Sequence, residues 1–332
     1  MKKILILYTG GTAGMDYTDQ GLRVIPNLFQ SQIQTLDPVM DVSLNLIEYE
    51  DLIDSSDINF THWVKIITDI KTHYDKYDGF VVIHGTDTMA YTASILAFAL
   101  RGLSKPVIIT GAQLPLVHRR SDGWGNLIDA IYAATQDELH EVALAFNHNL
   151  YRGCRTQKIS TNRFLGFDSV DEEPLAEFGI DIMWHKRRWR EANYKTFSPI
   201  IPQDVNILNL VLSPGFTTSF IADTLQKTNN IHAVVFQTYG SGTIPMRDTH
   251  LTDAIKNITK RGVVVVSVTQ VIEGRISSDY SNSKLSHLGV VGGCDMTPEA
   301  ALAKLWILCS MGLSPERIKY EIGNSLVGEL TI

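Results

Sequence analysis

Phe80-Val81-Val82-Ile83-His84-Gly85-Thr86-Asp87-Thr88, running on into Met89 to Leu100, decides the fold class. Four large apolar residues in succession read as a strand buried on both faces. The loop that follows carries a glycine, two hydroxyls and a carboxylate. Met89 to Leu100 is apolar or small almost all round, as in a helix packed deep against a sheet. A buried strand, a polar loop and a buried helix form the repeating unit of a parallel sheet covered by helices. The same alternation extends in both directions. Ile4 to Tyr8, Leu44 to Glu48, Val107 to Thr110 and Val142 to Phe146 are further strand-like runs, and Trp63, Ile66, Ile67, Ile70 and Tyr74 form a helical stripe.

A composition shift follows at Trp184 to Pro202, which holds Lys186, Arg187, Arg188 and Arg190 and then Pro199 and Pro202, without period. This stretch reads as a solvated linker. Strand and helix alternation resumes with Ile207 to Leu212, a helix near Ser219 to Gln226, Ala233 to Phe236, a helix near Leu251 to Lys260, and Val263 to Val268. Thr297-Pro298-Glu299 and Ser314-Pro315-Glu316 each place a capping hydroxyl before a proline at the first helical position. The expected organisation is a catalytic α/β domain over residues 1–190, a linker over 191–204 and a smaller α/β domain over 205–332.

Bulk properties agree with this plan. At about 150 residues per domain, 332 residues suggest two domains. Hydrophobic residues at 44% and charged residues at 20% exclude a disordered or collagenous chain. The net charge of −7, from 29 Lys and Arg against 36 Asp and Glu, argues against nucleic acid as a partner. Cys154, Cys294 and Cys309 form no CxxC pair, so neither a disulfide framework nor a zinc cluster is expected. Lys2 and Lys3 precede only Ile4 to Leu7 before Tyr8-Thr9-Gly10-Gly11, too short for a secretory signal. Ala93 to Leu100 falls short of the ~20 residues of a membrane span. A cytoplasmic protein with no membrane partner is therefore expected.

In an open parallel sheet ligands bind beyond the carboxyl ends of the strands, so those loops carry the chemistry. Thr9-Gly10-Gly11-Thr12-Ala13-Gly14 follows the first strand; its glycines admit close backbone approach, but it has neither the spacing nor the lysine of a phosphate loop. Asp54-Ser55-Ser56-Asp57 is a helix cap or a cradle for a zwitterion. His84-Gly85-Thr86-Asp87-Thr88 has more polar groups than a turn requires. Thr110-Gly111-Ala112-Gln113-Leu114-Pro115 and Arg120-Ser121-Asp122-Gly123 complete the set. Lys158 is either solvated or buried beside Thr86 and Asp87, where desolvation would let it take a proton from a hydroxyl. Cys154 lacks a neighbour that would activate it as a nucleophile. His84, His118 and His148 have no metal-ligand spacing.

These residues resemble a known family. Tyr8 to Gly14 is similar to the first threonine signature of the bacterial-type L-asparaginases, and His84 to Tyr91 to the second. The similarity continues through Asp54-Ser55-Ser56-Asp57, Ile109-Thr110-Gly111, Arg120 to Gly123, Tyr151-Arg152-Gly153 and Gly292 to Thr297, with Asp54 to Asp57 and Tyr151 to Gly153 resembling the cytosolic, type I branch. The resemblance implies hydrolysis of L-asparagine to L-aspartate and ammonia without metal or organic cofactor. It implies Thr12 as nucleophile, with Thr86 and Lys158 as the hydroxyl and lysine that move protons and Asp87 as the carboxylate that pairs the substrate ammonium and orients Lys158. Asp54, Ser55, Ser56, Thr86 and Asp87 match substrate-holding positions, and Ala112 would offer its carbonyl to the leaving amide. A homotetramer, a dimer of dimers, is implied as well. The fold expected throughout is α/β, with a larger flavodoxin-like N-terminal domain and a smaller second one.

The chain departs from the family pattern in three places. Leu22 stands where relatives carry a lid tyrosine, and Tyr17 is the nearest replacement. Gly240-Ser241-Gly242-Thr243 lacks the asparagine of a turn that reaches a neighbouring subunit's site, leaving Thr243 to donate in trans. Gln157, Gln237 and Val271 replace the Thr, Arg and Cys of an activating asparagine site, so no such activation is expected. The rival readings are a glutaminase-asparaginase of broader specificity, a related amidotransferase subunit that feeds ammonia to charged tRNA, and a metabolite-binding regulator without turnover. The amidotransferase subunit carries an extension before its threonine loop, whereas here the first strand begins by Ile4.

Overall fold

Ile4, Leu5, Ile6, Leu7 and Tyr8 are all completely buried, and the strand they form, β1 (Lys2–Gly10), is an interior strand of the larger sheet. The hairpin β2 (Met15–Thr18) and β3 (Gly21–Val24), the short helix α1 (Leu28–Ile33) and the long strand β4 (Val42–Ile53) follow. Next come α2 (Phe60–His73), β5 (Gly79–Ile83), α3 (Met89–Ala99), β6 (Val107–Thr110), α4 (Gly123–Ala134) and β7 (Val142–Phe146). Five of these strands pair in parallel in the order β4-β1-β5-β6-β7. Ranked along the chain that order is 2-1-3-4-5, the flavodoxin-like winding, whose crevice opens where the connections from the central strands part, between β1 and β5.

The computed structural model describes residues 1–34, 36, 41–169, 171–191, 196–277 and 285–331. The chain divides into two units, Met1–Ile201 and Pro202–Ile332. Beyond β7 the first sheet is extended by antiparallel strands that the apolar pattern does not announce. These are β8 (Asn149–Arg152), then β11 (Ala176–Phe178) and β12 (Ile182–Trp184), with a two-stranded ribbon of β9 (Thr156–Lys158) and β10 (Phe167–Ser169) in between along the chain. Each is only three or four residues long, too short for a period to be read.

The solvated-linker reading of Trp184 to Pro202 does not describe residues 184–191 and 196–202, and residues 192–195 of that stretch lie outside the described residues. Trp189 is buried in the first core and its indole N–H donates to Leu175 O at 3.0 Å. Phe197 stacks on Tyr74 with ring centroids 3.6 Å apart, and the amides of Ser198 and Ile200 bond to Arg101 O and Ala99 O. Lys186, Arg187 and Arg188 set the polar composition, while Trp189 and Phe197 anchor the described residues on which they stand. Tyr74 itself lies in a 3-10 turn just past α2, so the stripe is one residue shorter than its period suggests.

The second unit repeats the parallel plan with β13 (Ile207–Val211), β14 (Ala233–Thr238), β15 (Val264–Thr269) and β16 (Val291–Gly292) in sequential order. Helices α5 (Thr218–Lys227) and α6 (Thr249–Lys260) bury Ile221, Leu225, Leu251, Ile255 and Ile258 against it. The helix Pro298–Ser310 starts at Thr297, whose side chain accepts from Ala300 N. That helix holds a fully buried lysine. Lys304 Nζ donates to Glu329 Oε1 at 2.6 Å and to Ile322 O and Asn324 O, while Glu329 accepts from the amides of Leu326 and Val327. Every polar atom of the pair is matched, which is the condition for tolerating two charges in a core. Replacing Lys304→Met strands the Glu329 carboxylate and is expected to cost about 3–5 kcal/mol. Thermal unfolding checks this: the single variant should melt well below the Lys304→Met/Glu329→Leu double variant.

Candidate active site

Three strand ends meet at the β1/β5 crevice because three residues there have no side chain. Gly10 adopts φ +127°, and a Cβ on it would lie 2.3 Å from Ile53 O at the end of β4. Gly11 has φ +85°, and its Cβ would lie 2.5 Å from the Cα and N of Gly85. A Cβ on Gly85 would in turn lie 2.5 Å from Ser55 Oγ. The turn Thr12–Gly14, the loop after β5 and the turn Ser55–Asp57 are therefore packed backbone to backbone. Thr9 Oγ1 donates to Ile83 O at 2.9 Å, fastening β1 to β5 just before the loops begin.

Thr86 and Asp87 stand on the β5 loop. Lys158, at the end of β9, donates from Nζ to Thr86 Oγ1 at 2.8 Å and to Asp87 Oδ1 at 2.6 Å. Thr86 is buried, the Lys158 side chain nearly so, and Asp87 largely exposed. Of the two readings of Lys158, the one beside Thr86 and Asp87 is the arrangement found. Its approach is prepared by a buried ionic cluster. Arg152 Nε donates to Glu141 Oε2 at 2.6 Å and its Nη1 pairs with Glu172, which pins the turn Gly153–Arg155 immediately before β9. A cavity of about 380 Å³ opens beside Lys158, lined by Ile159, Ser160, Thr161 and Asn162.

The remaining loops are held by side-chain hydrogen bonds to their own backbone. Asp54 accepts from Ser56 N and Ser56 Oγ, both at 2.9 Å, so it caps the Ser55–Asp57 turn, and Thr88 Oγ1 donates to Ser55 O at 2.7 Å. Asp122 accepts from the amides of Gln113 and Leu114, each at 3.0 Å, while Asn126 Nδ2 donates to Gly111 O at 3.0 Å. Ala112, itself buried, lies inside this clamp. In a trans peptide the N–H and C=O point to opposite edges, so an amide of Gln113 bound to Asp122 turns the Ala112 carbonyl the other way. Leu116 N donates to Ala13 O at 3.1 Å, tying the same loop to the Thr12 turn.

Tyr17 and Thr243 lie on a hairpin of the first unit and a turn of the second. Tyr17 is 66% exposed on the β2–β3 hairpin, directly opposite Leu22 in the antiparallel register. Thr243 lies in the second unit, on the turn closed by the Tyr239–Thr243 bridge, with its hydroxyl donating to Tyr239 O at 3.2 Å. Among the residues with no assigned role in the sequence, Asp122, Asn126, Arg152 and Glu141 shape the loops. Their signal was a charged or amide residue beside a conspicuous loop, but only the contacts reveal which group each one holds. Among the described residues no group of three His, Cys, Asp or Glu is placed to hold a metal, and no helix is long and apolar enough to cross a membrane.

Residues 3–190 match the family model "Asparaginase, N-terminal" and residues 204–320 the model "Glutaminase/Asparaginase C-terminal domain". The chain is 40% identical to L-asparaginase 1 of Escherichia coli K12 over 342 aligned positions, covering 99% of this chain and 98% of that protein. Its fold superposes on crystalline L-asparaginase I of Vibrio cholerae with a TM-score of 0.91 at 38% identity, covering 100% of this chain and 99% of that one. The thermostable L-asparaginase of Thermococcus kodakarensis gives a TM-score of 0.88 at 26% identity, with 99% of each chain covered. The chain belongs to the asparaginase family, on its type I branch. The two-domain α/β fold expected from the loops is the fold observed.

Gly11→Ala is expected to reduce turnover at least 10-fold, because the positive φ and the contact with the Gly85 backbone force the Thr12 turn away from the β5 loop. Steady-state kinetics on the folded variant checks this. His84, fully enclosed behind that loop, has its pKa lowered to about 4 by burial. The unfolded chain therefore binds a proton at His84 that the folded chain refuses, and stability falls as pH drops from about 6.5 towards 4. Denaturant titrations across that range should show a smaller fall for His84→Asn than for wild type.

Proposed function

We propose that this protein hydrolyses L-asparagine to L-aspartate and ammonia through a covalent intermediate on Thr12. The observation that carries the reading is the Lys158–Thr86–Asp87 cluster, assembled at the β1/β5 crevice against the turn that bears Thr12. A threonine hydroxyl is a weak nucleophile, so it needs a proton acceptor and donors aimed at the developing oxyanion. Thr12 Oγ attacks the side-chain amide carbon and gives up its proton as the carbonyl oxygen becomes an oxyanion. Collapse of the tetrahedral species expels ammonia, which leaves with the proton relayed through Thr86 and Lys158. Water then attacks the ester on Thr12 and returns the hydroxyl to its starting state.

Substrate recognition follows from the surrounding loops. Asp87 meets the α-ammonium while also orienting Lys158, and the turn Asp54, Ser55, Ser56 takes the α-carboxylate through hydroxyl and amide donors. The Ala112 carbonyl accepts from the carboxamide nitrogen. Tyr17 supplies the lid hydroxyl in place of Leu22, and Thr243 reaches a neighbouring subunit's site in a homotetramer. The protein works in the cytoplasm with no cofactor. Its asparagine curve is hyperbolic: Gln237 Nε2 is engaged with Asn209 Oδ1 at 2.9 Å, and neither it nor Val271 offers a cation to a second ligand's carboxylate.

Ammonia release from asparagine and from glutamine by wild type and by Thr12→Ala tests the reading. The wild type should release ammonia from asparagine, and the alanine variant should be slower by at least about 10³-fold. Binding of asparagine without ammonia release would instead identify a sensor, and equal rates on glutamine a broader amidase. Tyr17→Phe is expected to lower kcat by about 10–100-fold with the melting temperature unchanged, since a solvent-facing hydroxyl contributes nothing to the core. A sigmoidal dependence on asparagine would contradict the predicted absence of activation.

A further inference from the structure

His84 has no part in the proton transfers, yet it is 2% exposed and lies directly behind the β5 loop. Its Nδ1 is 2.7 Å from Gly85 O. A carbonyl oxygen only accepts, so Nδ1 carries the hydrogen. Burial keeps the ring neutral at ordinary pH, which leaves Nε2 as an acceptor. Thr92 Oγ1, 3.0 Å away on α3, therefore donates to it. Thr92 Oγ1 in turn accepts from Trp63 Nε1–H of α2 at 2.9 Å. Trp63, Thr92, His84 and Gly85 O thus form a chain in which every donor meets an acceptor, and it can run in only one direction.

The consequence falls on the peptide between Gly85 and Thr86. Among the described residues no peptide is cis. Holding the Gly85 carbonyl on the imidazole turns the Thr86 N–H to the opposite edge, away from the core. That N–H meets no acceptor among the described residues, although Thr86 is buried. A main-chain amide without a protein partner is open to a ligand's acceptor. The Thr12 turn packs through Gly11 on the Cα and N of Gly85, one peptide before this amide.

We propose that His84 is a positioning residue: held by Thr92 and Trp63, it sets the Gly85–Thr86 peptide so that the Thr86 N–H donates to the substrate's carboxamide oxygen as charge develops on it. This rests on the functional reading above. The role belongs to the transition state more than to binding, because the donor gains most when the oxygen becomes anionic.

The test compares His84→Leu, which keeps bulk but has no donor, with His84→Asn, whose side-chain amide nitrogen stands near the position of Nδ1. For His84→Leu, kcat on asparagine should fall about 10²-fold with KM within about 3-fold of wild type. His84→Asn should return kcat to within about 10-fold of wild type, and Thr92→Val should fall between the two. Wild-type kcat in His84→Leu overturns the proposal. So does equal slowness of the leucine and asparagine variants, or a parallel loss of kcat, KM and melting temperature, which is what a purely structural residue would give. If the wild type itself releases no ammonia, the functional reading falls and this role with it. An active wild type matched by His84→Leu removes this role alone.

Discussion

Everything at the crevice depends on how closely the backbone of β1 approaches the ends of its two neighbours. At Gly10, Gly11 and Gly85 a single methyl group would collide with main-chain or side-chain atoms at 2.3–2.5 Å, so the sheet narrows there to bare peptide. The approach has two effects. It brings the loop that bears Thr12 against the loop that bears Thr86 and Asp87, and it leaves peptide groups at the closest approach. Peptide groups are fixed dipoles that need no reorganisation when charge appears, which is the property an acyl-transfer site requires. Two of the three glycines also hold positive φ, so the same residues supply the bend as well as the space.

A floor of peptide groups functions only if each group faces the correct way, and the buried polar side chains answer that need. Asp122 captures two amides after β6 and leaves the Ala112 carbonyl outward, while His84 captures a carbonyl after β5 and leaves the Thr86 amide outward. An acceptor and a donor are thereby left unpaired on the loops after β6 and β5, the complement that the proposed reading needs for the NH₂ and C=O of a carboxamide. The cost of burying the His84 ring is offset because both of its nitrogens are paired. The Arg152–Glu141–Glu172 cluster does the same for the loop that delivers Lys158. Polar burial in the first unit is thus concentrated behind the site, and the apolar core carries the stability.

Much of this was legible in the sequence, and the limits have physical causes. The parallel strands could be read because burial on both faces makes them continuous apolar runs, as in Phe80 to Ile83. Strands β8, β11 and β12 could not, since three or four residues such as Ala176–Phe178 carry no period. Trp184 to Pro202 misled because its charges outnumber its aromatics, although Trp189 and Phe197 decide where it lies. At the site, hydroxyls and carboxylates in strand-end loops announced themselves by type. Asp122 and His84 did not, because a residue that holds a peptide group in place looks the same in sequence as one that caps a helix or fills a core.

The lid hairpin shows how a departure from a family pattern can leave the geometry intact. Tyr17 and Leu22 are not merely close in sequence; they form a directly opposed cross-strand pair, flanked by Asp16 with Arg23 and Thr18 with Gly21. Residues so paired project from the same face of the ribbon, about 5 Å apart. An aromatic moved from position 22 to position 17 therefore stays on the face it left, whereas a move of one residue along either strand would send it to the other face. The hydroxyl of Tyr17 can cover such a displacement through the length of its side chain and the freedom of a two-stranded ribbon, which has few packing contacts to hold it rigid. The register of the hairpin, more than the identity of residue 22, is what keeps Tyr17 on the face of the ribbon that Leu22 shares.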